Sequence, residues 1–253
     1  MSPDPHQPEQ VAAVLADTAD AVRRALSTAE SWAEAGTRPG QHHSDLEADA
    51  AAVEVLGGAG LGVLSEESGA TGLDLPVVVV LDPLDGSTNA SRGMGAWAVS
   101  LCAVDAEGPW VSLVEDLRHG TRWTAVRGEG AQRDGAPIRT SGCTDLVRAI
   151  VGLNGVPAGH GGWAQYRAFG AAALDICAVA DGTLDGYLDC TTDELGSWDY
   201  LGAALVCQEA GGVVVDVNGR DLAVLEHGAR RTPVAAASPE LLELLVPLHP
   251  GRP

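Results

Sequence analysis

An unbroken run of aliphatic residues, Val77 to Leu81, constrains the fold of this 253-residue chain more than any other segment. The run is short, rich in valine, and shows no alternation between apolar and polar residues. That pattern is typical of a strand that other layers cover on both of its faces. No stretch of the chain reaches the roughly 18 apolar residues of a membrane-spanning helix. The sequence therefore predicts a sheet buried inside a layered fold.

Helices and strands are predicted on both sides of this run. Apolar residues at helical spacing predict helices over residues 8–35 and 45–58, and strands follow over 96–104, 110–116 and 122–127. In the last third, strands are expected over 149–153, 184–189, 213–217 and 234–237, and helices over 170–180, 198–210 and 239–245. This mixture predicts a layered α+β fold. We expect a disordered terminus over 1–8 and one domain over 9–250, with a first half over 9–140 and a second over 141–250.

The charge of the chain excludes several classes of partner. Asp and Glu number 35 against 15 arginines and no lysine, so the formal net charge is −20. A field of that sign repels nucleic acids and anionic membranes, which are therefore not expected as partners. The N-terminus carries neither the basic flank nor the apolar stretch of a signal peptide, so a cytoplasmic protein is expected. Five cysteines without a Cys-x-x-Cys pair argue against a zinc site or a disulfide framework.

Two aspartates stand directly after the buried run, in the segment Asp82-Pro83-Leu84-Asp85-Gly86. Pro83 fixes its own backbone and favours an extended conformation at Asp82, while Gly86 permits close approach of the backbone. Carboxylates at this spacing can turn towards one point, where they need a proton or a cation, and hard oxygen ligands favour Mg²⁺. The alternative is an ordinary turn, because Asp, Pro and Gly are all common turn residues.

Two further blocks and an extension of this segment bear on the choice between a turn and a metal site. Ser87-Thr88-Asn89 completes the segment, Ser65-Glu66-Glu67-Ser68 lies upstream, and Trp198-Asp199 precedes Glu209-Ala210-Gly211-Gly212. Asp199 alone would be interpreted as the N-cap of a helix. In this order the three motifs closely resemble the signatures D-P-[IL]-D-G-[ST]-T-N, [GS]-E-E-S and W-D-x-A-[AG]-[AG] of the inositol monophosphatase family. The resemblance extends over about residues 10–245.

The resemblance implies an α-β-α-β-α sandwich of the inositol monophosphatase and fructose-1,6-bisphosphatase type, a homodimer, and two Mg²⁺ ions with a weaker third. The metal ligands that it implies are four carboxylates and one main-chain carbonyl, from Glu66, Asp82, Leu84, Asp85 and Asp199. Glu66 and Ser87 would orient and deprotonate the attacking water. Asp49 matches an aspartate that supports the third ion, although Leu46 stands where the family has a threonine.

The resemblance also implies a set of residues that face the substrate: Asp85, Gly86, Ser87, Gly170, Ala171, Ala172, Asp189 and Asp199. The amides of Gly86 and Ser87 would bind phosphate oxygens at a helix start. Asp189 takes the place of a glutamate that binds substrate hydroxyls. The segment over 190–197 is longer than in typical members, which leaves Asp193 as an alternative to Asp189.

The implied activity is Mg²⁺-dependent hydrolysis of a small sugar or polyol phosphate by water, without a covalent intermediate and with sensitivity to lithium. Inositol 1-phosphate is the first candidate substrate. The altered region over 152–197 keeps other substrates open: a nucleotide, 3'-phosphoadenosine phosphate, histidinol phosphate, fructose bisphosphate or a biosynthetic sugar phosphate. A non-catalytic, metal-binding regulatory protein is the remaining alternative, although none of the four acidic ligands is missing.

Overall fold

We describe the chain from a computed structural model over residues 7–29, 31–36 and 41–251. Most of the terminus expected to be disordered, residues 1–6, lies outside this part, as do residues 37–40 between the first two helices. Within the described ranges, no helix is both long enough and apolar enough to span a membrane.

The larger sheet has eight strands in the order β2-β1-β3-β4-β5-β6-β7-β8. Their bounds are β1 Gly62–Ser65, β2 Gly69–Thr71, β3 Val78–Asp85, β4 Ala98–Asp105, β5 Gly108–Asp116, β6 Thr121–Val126, β7 Gly130–Arg133 and β8 Ala136–Pro137. β1 and β3 are parallel, and the other neighbouring strands are antiparallel. All eight residues of β3 are buried, which confirms the prediction of a strand covered on both faces.

The smaller sheet has five strands in the order β10-β9-β11-β13-β12. Their bounds are β9 Ile150–Asn154, β10 Gln165–Arg167, β11 Gly186–Asp189, β12 Val213–Asp216 and β13 Pro233–Ala236. β9 is parallel to both of its neighbours, whereas β13 is antiparallel to β11 and β12. The edge strand β10 has only three residues.

Six helices complete the layers: α1 Pro8–Ser27, α2 His43–Gly58, α3 Ser87–Ser91, α4 Ala172–Ala180, α5 Ser197–Glu209 and α6 Pro239–Leu245. α1 and α2 cover one face of the larger sheet, where Leu15 and Leu56 pack with Val79. α4 and α5 lie between the two sheets, and Ile176 is buried there. α6 covers the outer face of the smaller sheet through Leu241. The fold is therefore the expected α-β-α-β-α sandwich.

Two predicted boundaries are wrong. α1 ends at Ser27, well before the predicted residue 35, and two residues of low helix propensity, Ser27 and Thr28, stand at this end. Ser27 Oγ donates to the Arg24 carbonyl at 2.7 Å, and Thr28 Oγ1 donates to the Ala25 carbonyl at 3.1 Å. Such bonds compete with the helical hydrogen bonds of the backbone. β3 is also longer than the apolar run, because it continues through Asp85.

Candidate metal centre and active site

Three carboxylates from separate segments converge at one edge of the larger sheet. One oxygen from each of Glu66, Asp82 and Asp199 lies within 4.8 Å of the others. Glu66 directly follows β1, and its predecessor Ser65 pairs with Leu81, the residue before Asp82. Since β1 and β3 are parallel, the residues that follow this pair meet at the same edge. Asp199 comes from the first turn of α5. The structure thus assembles an acidic cluster that could hold a metal ion.

A β-bulge brings Asp85 to the same side of β3 as Asp82. Asp82 pairs with Ser100 and Asp85 pairs with Ala98, so three steps along β3 match two steps along β4. Side chains three residues apart on a regular strand point to opposite faces, and one extra residue corrects this alternation. Pro83 lies inside the bulge. A proline is tolerated there, because its missing amide hydrogen does not remove a hydrogen bond between the paired strands. The segment is therefore a bulge within a strand and not a turn after it.

Asp85 connects the acidic cluster to the second half of the chain. Its Oδ2 accepts a hydrogen bond at 2.9 Å from the amide of Ala173, in the first turn of α4. The first amides of a helix have no partners within the helix, and a carboxylate placed there also benefits from the helix dipole. Burial raises the pKa of Asp85 to about 7, and the amides of Ala173 and Ala172 oppose that rise.

Asp82 and Asp199 are crowded by like charges. Burial, followed by the charges of Glu66, Asp85 and Asp199, raises the pKa of Asp82 well above its usual range. Burial and the charges of Glu66 and Asp85 likewise raise the pKa of Asp199, although the Gly196 amide donates to its carboxylate at 2.6 Å. Carboxylates in this arrangement need a proton or a cation. A set of oxygen donors alone fits a hard metal ion.

The turn at Gly86 joins this site to the second half of the chain. Gly86 has φ of 80°, and a Cβ at this position would lie 2.7 Å from the carbonyl oxygen of Ala96. Both facts explain why glycine follows Asp85. Asn89, in α3, donates from Nδ2 to the carbonyls of Ala96 at 2.8 Å and Phe169 at 2.7 Å. These bonds hold α3 against the chain that leads through Gly170 into α4.

Three further residues with predicted roles lie around the cluster. Ser87 begins α3 and is half-buried. Asp49 is buried in α2 and accepts a hydrogen bond from Ser65 at the end of β1. The amide of Leu84 donates to Asp82 Oδ1 at 2.9 Å. The catalytic and metal-binding roles assigned to them stay predictions.

The two alternatives for substrate recognition both have partners within the protein. Asp189 ends β11, fully buried, and its Oδ1 accepts from Asn154 Nδ2 at 3.1 Å and from Thr191 Oγ1 at 2.7 Å. Asp193 is exposed and forms an ion pair with Arg220. Neither carboxylate belongs to the three-residue cluster. Their substrate contacts therefore remain predictions.

Sequence reasoning missed two side chains that stand beside the site. The His227 ring lies 4.8 Å from the Trp198 ring, and its Nε2 lies 3.2 Å from the carbonyl oxygen of Glu66. The guanidinium of Arg230 lies 5.0 Å from the centre of the Trp198 ring. Both residues come from the loop between β12 and β13, which carries no motif. Only the fold brings this loop to the acidic cluster.

The model of the inositol monophosphatase family matches residues 41–250. The chain belongs to this family. The resemblance of the three motifs is thereby confirmed, and the chain is a member of a family of phosphatases.

Several curated proteins are similar in sequence. The Nus factor SuhB of Pasteurella multocida is 35% identical over 174 residues, a match that covers 62% of this chain and 63% of that protein. The match thus spans less than two thirds of the length of the SuhB relatives. The fructose-1,6-bisphosphatase/inositol-1-monophosphatase of Archaeoglobus fulgidus is 33% identical over 212 residues, which covers 80% of this chain and 82% of that one.

Solved structures share the fold. The MJ0109 gene product, an inositol monophosphatase-fructose 1,6 bisphosphatase, has a TM-score of 0.82 at 23% identity and covers 94% of this chain and 98% of its own. The inositol monophosphatase from Anabaena (Nostoc) sp. PCC 7120 has a TM-score of 0.79 at 24% identity, with 97% of each chain covered. At these identities the likeness establishes the architecture.

Proposed function

We propose that this protein is a Mg²⁺-dependent phosphomonoesterase that acts on a small sugar or polyol phosphate, with inositol 1-phosphate as the first candidate. The observation that carries the proposal is the convergence of Glu66, Asp82 and Asp199 within 4.8 Å. Glu66 directly follows β1, Asp82 lies in β3, and Asp199 lies in α5, so three separate segments of the chain supply these acids. Membership of a phosphatase family supplies the reaction class.

The predicted ligands would form two neighbouring metal sites. Glu66, Asp82 and the Leu84 carbonyl would hold one ion, and Asp82, Asp85 and Asp199 would hold a second. Bound Mg²⁺ would supply a Lewis acid for the phosphate ester and a more acidic water. Glu66 and the hydroxyl of the half-buried Ser87 would orient that water.

The reacting phosphate would lie beside the start of α3. The first amides of this helix have no intrahelical acceptors and would donate to phosphate oxygens. Asp49 would keep its hydrogen bond from Ser65 and so support the end of β1, directly before Glu66. A weaker third ion would lie near Asp49.

Phosphate release from a panel of phosphomonoesters, with Mg²⁺ and with EDTA, tests this function. We expect turnover only with Mg²⁺, inhibition by lithium, and loss of turnover in Asp85→Asn with the fold retained. Asp74→Asn is the matched control, because Asp74 is exposed and outside the cluster. Absence of turnover on every ester would contradict the proposal, and a preference for nucleotides would move it to another substrate.

The relatives named Nus factor favour a second candidate function, a regulatory role in which the protein binds a partner. A regulator that had lost catalysis would be expected to lose a metal ligand, and all four acidic ligands are present. Metal binding without turnover on any ester would favour this second candidate. Turnover that depends on Asp85 would favour the first.

A further inference from the structure

Asp189, the last residue of β11, points into the layer between the two sheets. Successive residues of a strand point to opposite faces. Tyr187 packs in the core between the sheets and Leu188 packs in the core outside the smaller sheet, so Asp189 points inward again. Its side chain is fully buried, and Oδ2 has no hydrogen-bond partner among the described residues. A buried acceptor of this kind is satisfied when a ligand brings a donor to it.

The end of β11 lies beside the first turn of α4. The short connection over 181–185 turns the chain back, so β11 runs antiparallel to α4. Asp175 of α4 lies against Gly152, and Gly152 pairs with Tyr187 of β11. Asp189 is two residues beyond Tyr187, roughly 6.6 Å along the strand, and this matches about one helical turn back from Asp175. That first turn of α4 donates the amide hydrogen bond to Asp85, so Asp189 borders the site.

Three hydrogen bonds to the other oxygen fix the orientation of the Asp189 carboxylate. Oδ1 accepts from Asn154 Nδ2 at 3.1 Å, from the amide of Thr191 at 2.9 Å and from Thr191 Oγ1 at 2.7 Å. Two of the three bonds come from Thr191. The direction of the free Oδ2 therefore depends on the position of Thr191, because a shift of this residue would rotate the carboxylate.

Thr191 is held in turn by His249, a buried residue that follows α6. His249 Nε2 lies 2.8 Å from the carbonyl oxygen of Thr191, and the amide of Gly251 donates to His249 Nδ1 at 3.1 Å. Because a backbone amide can only donate, Nδ1 is the acceptor and the ring hydrogen is on Nε2, which donates to Thr191. The imidazole thus connects the segment after α6 to the loop after β11.

We propose that His249 is a positioning residue for substrate recognition, because it holds Thr191 where Thr191 directs Asp189 Oδ2 towards a hydroxyl group of the substrate. The inference rests on the proposed phosphatase function and on the predicted substrate contact of Asp189. It adds a residue that lies outside every motif of the sequence. His249 itself touches neither the substrate nor the metal ligands, so its loss should weaken the binding of hydroxylated esters and leave the chemical step unchanged.

Two esters test this inference: inositol 1-phosphate carries hydroxyl groups on its alcohol, and 4-nitrophenyl phosphate carries none. His249→Ala should raise KM for inositol 1-phosphate by about 10-fold, as expected for a weakened hydrogen bond to a charged group, with little change in kcat. The constants for 4-nitrophenyl phosphate should not change. His249→Gln should retain most of the affinity, because its amide can also donate to the carbonyl of Thr191. Thr191→Val removes the hydroxyl bond to Asp189 and should give a similar loss, even if His249→Ala does not fold.

A double-mutant cycle shows whether His249 acts through Asp189. In the Asp189→Ala background, His249→Ala should cause no further loss for inositol 1-phosphate. Ser238→Ala is the matched control, because Ser238 Oγ accepts from the amide of Leu241 at the start of α6. This control should lower the stability of the segment before His249 without a change in KM.

An equal loss on both esters in His249→Ala would overturn the inference, as would no loss on either ester or an undiminished effect in the Asp189→Ala background. Calorimetric binding of inositol 1-phosphate in Ca²⁺, another cation with oxygen ligands, gives a readout without turnover. Binding that weakens in His249→Ala, without hydrolysis of any ester, would keep the role of His249 and contradict only the phosphatase function. No binding by wild type and no turnover would overturn both.

Discussion

Asp175 is a buried carboxyl group whose replacement by asparagine tests the electrostatics of the layer between the sheets. Its side chain is fully buried in α4, and neither oxygen has a hydrogen-bond partner among the described residues. It lies against Gly152 of β9, where a Cβ would approach Asp175 Oδ1 to 3.1 Å. Burial, and then the charge of Asp85, raises the pKa of Asp175 to about 8. We therefore expect this carboxyl group to be neutral in the folded protein at neutral pH.

The sign of the effect on stability follows from the protons bound in each state. Between the usual pKa of 3.8 and about 8, the folded state keeps a proton that the unfolded chain has released. The contribution of Asp175 to stability is therefore fully present below that lower pKa and is lost as the pH rises through the folded pKa. The loss amounts to about 1.4 kcal/mol per pH unit, or about 2.5 kcal/mol between about pH 5.5 and about pH 7.5.

Urea unfolding in EDTA at these two pH values measures the effect. Asparagine does not titrate, so the free energy of unfolding of Asp175→Asn relative to wild type should rise by about 2.5 kcal/mol from the lower to the higher pH. Other acids titrate in both proteins, and their contributions cancel in the difference. Asp17→Asn, at an exposed position of α1, should follow wild type. A difference independent of pH would refute the raised pKa and the reasoning that burial without a partner governs this carboxyl group.

Three other changes probe separate features of the protein. Asp82→Asn should abolish Mg²⁺-dependent phosphate release. It should also raise the free energy of unfolding in EDTA at neutral pH, because the substitution removes a buried charge that lies close to other carboxylates. An unchanged free energy of unfolding would contradict the destabilisation by these like charges. Glu115→Ala should lower the free energy of unfolding in urea by about 3 kcal/mol, because it leaves Arg23 and Arg122 without the buried carboxylate that they contact at 3.1 and 2.6 Å. The homodimer that the resemblance implies should form at the exposed groove containing Met94, so Met94→Asp should sediment as a monomer while wild type sediments as a dimer.

The acidic cluster could be predicted from the sequence because each of its residues lies in a short motif. Glu66, Asp82 and Asp199 are the three acids that the structure gathers within 4.8 Å. Residue chemistry alone left a turn and an N-cap as alternatives, and the resemblance of the combined motifs decided between them. The apolar run before Asp82 predicted a strand with cover on both faces, whereas the order of the layers came from the resemblance.

The bulge and the arginine could not be predicted, for different reasons. The apolar pattern stops at Leu81, so the polar residues that follow conceal the continuation of β3 to Asp85. A bulge is visible only in the pairing with β4, which depends on residues distant in the chain. Arg230 lies about thirty residues after Asp199 in a loop with no periodicity. Its neighbours are set by tertiary packing against Trp198.

Two hydrogen bonds connect the two predicted halves of the chain at the site. The sequence suggests that the segment from Asp82 to Asn89 sets the chemistry and that residues 152–197 select the substrate. In the structure, however, Asp85 accepts a hydrogen bond from Ala173, and Asn89 donates to the carbonyl of Phe169. A change at the start of α4 would therefore move Asp85, a predicted metal ligand, as well as the surface predicted to face the substrate. Substrate choice and metal binding should then vary together when this segment changes.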